Sequence, residues 1–251
     1  MRAIPATHVY QRIADDLRQA INDGTLAAGS QVKPASQLAA QYGVNPATVR
    51  EATNLLQLEG LLVSLPGSGL FVREQPEVIR LVRSWYQHPG TGSPWRAAMA
   101  ELGREGSWRH ESAADTASPA VAQRLEVETG ARVMRTRYLY TLDGQPAFLA
   151  VSWEPLEGLT LGTDIMLPEG GPYAGRGVRD RMDVIGLKPT WCREENLAHT
   201  LTGSEAEELG LHAGMAVLKV ERTYLHPSRA LETADIVFPP HIRAVYEIPV
   251  D

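Results

Sequence analysis

Thiols are almost absent from this chain: Cys192 is the single cysteine in 251 residues. No internal disulfide can form, and no zinc site can be assembled from several thiolates. Long apolar runs are missing too. None approaches the roughly 18 residues that a membrane-crossing helix needs. Met1 to Tyr10 lacks the basic-then-apolar order of a secretory leader, so the expected location is the cytoplasm, away from membranes. The seven histidines, His8, His88, His110, His199, His212, His226 and His241, show no HExxH or closely paired ligand spacing, no motif surrounds Cys192, and no GxxxxGK loop is present. Gly170 to Gly177 is glycine-rich without the strand and helix context of a nucleotide fold, and reads as a mobile loop. A catalyst needs a positioned base, nucleophile or metal; the expectation is a chain with no catalytic residue, no metal and no cofactor.

Apolar residues make up 43% and charged residues 22%, the composition of a globular protein rather than a disordered or fibrous one. The length fits one large domain or two modest ones, and two are expected. The net charge of -6 argues against a general affinity for phosphate backbones, but it is unevenly spread. Residues 1–73 hold six basic and five acidic side chains, a net charge of +1 that leaves -7 for the rest. A near-neutral head on an acidic body permits DNA binding by the head.

In the head, Val9, Ile13, Leu17, Ala20 and Ile21 recur at the spacing of an amphipathic helix that Gly24 ends. Ala35 to Tyr42 reads as a second helix, stopped by Gly43. Asn45 offers an N-cap oxygen, Pro46 suits the first helical position, and a third helix follows to Gly60. Its Val49, Ala52, Leu55 and Leu56 should face inward, leaving Ala47, Thr48, Arg50, Glu51 and Asn54 outside. Leu61 to Leu65 and Leu70 to Val72 flank Pro66-Gly67-Ser68-Gly69 as a hairpin. This order is a winged helix-turn-helix, whose third helix would enter a major groove.

The segments GTLAAGSQV, QLAAQYGVNPATVREATNLLQLEGLL and PGSGLFV, within Tyr10 to Val72, resemble the DNA-binding domain of the GntR-type bacterial transcription regulators. The resemblance implies that operator DNA is touched by Ser36, Asn45, Pro46, Thr48, Arg50, Gly67 and Ser68. The family commonly carries arginine where Ser36 and Pro46 stand, so weaker, more dimer-dependent binding is expected here. Arg50 can still make a bidentate contact to guanine or clamp a phosphate. Its bland alternative is a solvated residue paired with Glu51 or Glu59.

Residues 74–92 read as a linker, with a helical piece from Val78 to Tyr86. Residues 93–251 read as an α+β body. Helices are expected at Trp95 to Leu102, after Ser118-Pro119, at Val178 to Ile185 and at Ser204 to Leu209. Strands are expected at Trp108 to Ala113, Val133 to Leu142, Pro146 to Trp153, Lys188 to Leu197, Val217 to Leu225, Leu231 to Phe238 and Ala244 to Ile248. Asp143-Gly144 is a hairpin signal, so the sheet, of about six strands, should be antiparallel.

LEVETGARVMRTRYLYTLDGQPAFL, EAEELGLHAGMAVLKVERTYL and LETADIVF resemble the UTRA ligand-binding domain of the HutC branch of the GntR regulators. The resemblance implies a fold related to chorismate lyase, a small-molecule effector held between sheet and helices, and a homodimer. It also implies that Glu232 and Gly175 to Arg179, with Arg176 among them, line the pocket. From the residues themselves, Ser93 opens a helix whose free N–H groups favour an anion, and Arg96 adds charge. Arg135 and Arg137 share one sheet face, where they would meet an anion or pair with Glu154, Glu221 or Glu232. Sugar-phosphate-responsive relatives place a glutamate where Ala150 stands, which suggests a less polar or differently shaped ligand. Trp95, Trp153 and Tyr173 would suit an aromatic one, unless they simply pack the core.

The expectation is therefore a homodimeric repressor that binds a palindromic operator and is released or modulated by a small-molecule effector. Two alternatives stand beside it: a chorismate lyase-like enzyme body behind a DNA-binding head, since paired arginines suit a dicarboxylate, and a DNA-binding protein that has lost its effector.

Overall fold

The structure, a computed structural model, describes residues 6–74, 77–83 and 92–248. Its contacts divide the chain into two units: Met1–Glu77 with Thr200–Ala216, and Val78–His199 with Val217–Asp251.

The first unit holds α1 (Ala6–Asn22), α2 (Ala35–Tyr42), α3 (Pro46–Leu58) and a hairpin of β1 (Leu62–Leu65) and β2 (Gly69–Val72). Local chemistry sets these boundaries. Gly43 ends α2 in the left-handed region at φ 64°, and the Asn45 side chain accepts from the Ala47 N–H to open α3 with Pro46 at its start. Ile13, Ala14, Leu17, Leu38, Ala39, Val49, Ala52, Leu56, Leu62 and Val72 bury one common core. Leu55 packs partly against it, while Arg50, Glu51 and Asn54 stay exposed. The winged helix-turn-helix order is the one the apolar spacing predicts.

A second stretch of chain joins this unit. The Thr202 hydroxyl and the Glu205 carboxylate form a reciprocal capping box that opens α7 (Gly203–Leu209). The Gly210 carbonyl accepts from Arg73 at 3.3 Å, and His212 lies 3.4 Å from the Gln57 amide. A Cβ on Gly60 would stand 2.9 Å from the Met215 methyl, and one on Gly214 2.9 Å from a Leu58 methyl. The sequence reading gave residues 93–251 wholly to the body; here Thr200–Ala216 packs with the head.

The second unit is built on a six-stranded antiparallel sheet in the order β4-β5-β6-β9-β8-β7. Its strands are β4 (Gly106–Thr116), β5 (Arg132–Leu142), β6 (Gln145–Pro155), β7 (Trp191–Thr200), β8 (Ala216–His226) and β9 (Arg229–Phe238). Asp143 and Gly144 take positive φ, 48° and 79°, between the paired Leu142 and Gln145. That is the turn the Asp-Gly pair demands. α4 (Pro94–Glu101) contributes Trp95 and Met99 to one face of the sheet. α5 (Pro119–Leu125) packs with Val133 and Trp153 elsewhere. α6 (Val178–Val184) completes the helices.

Two expectations are corrected. Of the helix expected over Val78 to Tyr86, Ile79–Val82 is a strand, β3, and Ser84, Trp85 and Tyr86 lie outside the described residues. β3 pairs in parallel with β10 (Ile242–Val245), burying Ile79 and Leu81 against the sheet core. The strand expected at Ala244 to Ile248 is this β10, which begins two residues and ends three residues earlier and is paired outside the six-stranded sheet. β3 also begins the second unit inside the stretch expected as linker. Much of that stretch, residues 75–76 and 84–91, lies outside the described residues.

Candidate nucleic-acid interface and ligand cavity

Along the first unit, the start of α3 and the wing tip offer their polar groups outward. Ser36, Asn45, Arg50, Gly67 and Ser68 are exposed, and Pro46 and Thr48 are partly so. Asn45 spends its side-chain oxygen on the Ala47 N–H at 2.9 Å, which leaves its amide NH₂ as the group a DNA acceptor could meet. The carboxylates proposed to occupy Arg50 do not. Arg18 binds both oxygens of Glu59, at 2.7 and 2.6 Å, and no described carboxylate pairs with Arg50. Gln31 donates to the Ser68 carbonyl at 2.7 Å and so ties the wing tip to the turn before α2. Gln31 and Lys33 line the same groove as Arg50 and Ser68. The sequence reading passed over both; the signal available was one lysine in a turn beside the helix pair.

In the second unit, a cavity of about 450 Å³ opens between the sheet, α4 and the start of α6. Its apolar wall is aromatic. Tyr140 and Phe148 stack at 4.3 Å and 11°, Tyr138 stacks on Tyr140 at 5.6 Å, and Trp95 stands edge-on to Phe148 at 5.0 Å. The Trp95 ring is held there by its N–H, which donates to the Thr141 carbonyl at 3.1 Å.

Four of the residues expected at an effector, Ser93, Trp95, Arg176 and Glu232, line this cavity together, as does Ala150. Gly175, Gly177 and Val178 of the expected segment Gly175 to Arg179 do so too, while Arg179 is not part of the lining. Arg96 and Tyr173 lie beside it. The Arg96 guanidinium stacks on the Trp108 ring at 4.6 Å, and Tyr173 packs with the cluster of Leu159, Ile165, Met182 and Leu231.

Three expected pocket residues fall elsewhere. Strand alternation sends Tyr138, Tyr140, Phe148, Ala150 and Ser152 to the cavity face. Arg135 and Arg137 therefore project from the other face, where Arg135 stands across from Trp153 and Trp153 packs with α5. They do share a face, as their spacing of two requires; it is the face away from the cavity. Ser93, offered as an anion-binding helix start, caps α4 with its own hydroxyl.

Carboxylates and guanidiniums meet in pairs around the cavity. Arg181 and Glu154 form a buried ion pair, and Arg181 also donates to the Ile165 carbonyl at 3.0 Å. Arg83 pairs with Glu194. Arg222 donates to Glu232 Oε1 at 2.8 Å, while Arg222 Nε and Glu232 Oε2 are buried with no partner among the described residues. Burial pushes the Glu232 carboxyl up, and Arg222 opposes it. For Arg222, burial favours the neutral form, but Glu232 outweighs it and the guanidinium stays charged. Burial also pushes the Cys192 thiol up to about 12. It stays protonated at neutral pH, the state in which a thiol is a poor nucleophile. Among the described residues no group of three or more His, Cys, Asp or Glu side chains could hold a metal, and no helix is long and apolar enough to cross a membrane.

Residues 9–72 match the family of bacterial regulatory proteins, gntR family, and residues 102–242 match the UTRA domain. An HTH-type transcriptional regulator of Rhizobium meliloti (strain 1021) is 33% identical over 150 residues, 59% of this chain and 59% of that protein. The "Probable fructoselysine utilization operon transcriptional repressor" of Escherichia coli (strain K12) is 30% identical over 151 residues, 59% of this chain and 56% of that protein. The match thus spans under two thirds of the length of these curated relatives. A solved GntR-family transcriptional regulator aligns over 97% of this chain and 98% of its own, with TM-score 0.73 and 37% identity. PhnF from Mycobacterium smegmatis shares the fold, with TM-score 0.57 and 19% identity over 97% of this chain and all of its own.

Proposed function

The chain belongs to the GntR family of bacterial regulatory proteins, in its UTRA-domain form, and from that premise we propose that it is a ligand-responsive transcription regulator that binds operator DNA as a homodimeric repressor. The observation that carries the DNA half is the outward face of the head. Arg50 stands exposed and, among the described residues, without a carboxylate partner, beside Asn45, Thr48 and the wing tip, the positions that this resemblance assigns to operator contacts. Two heads related by a twofold axis would place their α3 helices in successive major grooves, about 34 Å apart. Such a function places the protein in the cytoplasm with its DNA.

The effector half rests on the cavity and on the chain path from it. β8 carries Arg222 into the cavity wall, and the residues just before it, Gly214 and Met215, press on Leu58 and Gly60 at the end of the recognition helix. A ligand that shifts β8 would therefore act on the head through continuous backbone. It need favour one arrangement by only about 1 to 3 kcal/mol to change DNA affinity 5- to 150-fold.

The lyase alternative rested on the body's resemblance to the chorismate lyase fold and on Arg135 and Arg137 as a dicarboxylate clamp; the fold alone assigns no activity, and the two arginines project away from the cavity. We therefore read the body as a receptor and not an enzyme.

The test is selection from fragmented genomic DNA by the full chain and by Arg50→Ala. The proposal expects the native chain to enrich an inverted repeat with half-sites one helical turn apart, and Arg50→Ala to lose about 1 to 3 kcal/mol of affinity while keeping its fold. A bound fraction with no common sequence would overturn it.

A further inference from the structure

The deep guanidiniums around the cavity are each held by a carboxylate. Arg181 is answered by Glu154, Arg83 by Glu194 and Arg222 by Glu232. At the exposed rim stand Arg80, Arg176, Glu101 and Glu247, with Arg176 lying over the Tyr173 ring, and Glu169 adds a further carboxylate to the lining, accepting from the Gly175 N–H at 3.1 Å. A phosphate or carboxylate entering here would meet a glutamate beside each deep guanidinium, and would have to displace it to gain a contact. A cation would meet the converse. What the deep wall leaves open is one donor and one acceptor belonging to a single ion pair: the Arg222 Nε–H and Glu232 Oε2, both buried and both without a partner among the described residues. Glu232 is fully buried. Buried polar atoms are nearly always satisfied, and the two side chains that carry this orphaned donor and acceptor both line the cavity, where a ligand or an ordered water can complete them. Beside them stand the rings of Tyr140, Phe148 and Trp95, which offer flat apolar contact.

We propose that the effector is an uncharged, ring-bearing molecule whose edge presents a hydrogen-bond donor and acceptor side by side, as an amide or a lactam does. Its N–H donates to Glu232 Oε2, its carbonyl accepts from Arg222 Nε, and its ring lies against the aromatic wall. This assignment rests on the reading of the cavity as the effector site, and deepens it. It also separates the deep wall of this cavity from a phosphate site, which would need guanidiniums free of carboxylates there.

The experiment uses three probes of one shape: benzamide, which offers donor and acceptor; benzoate, an anion with acceptors only; and benzamidine, a cation with donors only. Each is titrated into the full-length chain while the melting temperature and tryptophan fluorescence are followed, Trp95 and Trp108 being at the cavity. Benzamide is expected to bind about tenfold or more tightly than either charged probe. Glu232→Gln keeps the shape but can turn its free oxygen into an N–H donor, so the variant should shift its preference toward benzoate. Benzoate or benzamidine binding best to the native chain would overturn the uncharged class and leave the cavity a ligand site. No probe binding at saturation would overturn the cavity reading as well. Unchanged preference in a folded Glu232→Gln would remove the Arg222–Glu232 pair from recognition.

Discussion

At the scale of single residues, burial decides which charges matter for stability and which for binding. Arg181 and Glu154 are almost wholly out of water, at 2% and 0% exposure, and answer each other. Truncating one leaves the other charged and unpaired in a low-dielectric interior, so Arg181→Ala should cost about 3 to 5 kcal/mol in urea denaturation; a loss below about 1 kcal/mol would show that solvent already reaches the pair. Arg135 and Arg137 give the opposite expectation. Because both project from the far face of the sheet, replacing them with alanine should leave ligand-induced melting shifts unchanged, and a lost response would return them to the pocket. The sequence spacing established that this pair shares a face. It could not say which face, because both sides of the sheet are covered and strand alternation alone assigns no cavity. For Trp153 the bland reading prevailed: it packs with α5. Glu232 and Arg176 were placed at the cavity by family resemblance alone, since no local pattern marks a strand glutamate as a binder.

At the scale of elements, the signals that are chemically local were legible. Asn45-Pro46 opens α3, Gly43 closes α2, and Asp143-Gly144 turns β5 into β6. The Asp143 turn also carries a pH dependence. The Glu105 backbone N–H, and then Arg104, hold its carboxyl below the usual carboxylate range. The stability this contributes is present above the unfolded-state pKa and is lost as pH falls through the lower, folded one. Asp143→Asn should accordingly be less stable than the native chain at neutral pH, with the gap closing in acid; a gap constant across the acid range, followed by denaturant midpoints, would mean the charge contributes nothing. β3 was misread because its partner, β10, lies some 160 residues away. Ile79 and Leu81 alternate as a strand requires, but in a four-residue element with adjacent apolar residues that period is indistinguishable from a helical stripe. Pairing decided it, and pairing at that separation leaves no local mark.

At the scale of the whole molecule, two units and their order along the chain were readable, while the exchange of a segment between them was not. Thr200–Ala216 leaves β7, packs with the head through Gly210, His212 and Met215, and returns as β8. Its sequence carries ordinary helix signals that say nothing of which unit will receive it. Along the chain, β8 thus leads from the cavity wall back to the segment that packs against α3 within the first unit. The most direct test is fluorescence anisotropy of the full chain on DNA from upstream of its own gene, against an unrelated duplex, over a range of salt concentrations. The account predicts tighter binding to its own DNA, an affinity that falls linearly with salt on logarithmic axes, and for Arg50→Ala a slope shallower by about one. Equal affinity for both duplexes, with no loss on removing Arg50, would contradict it.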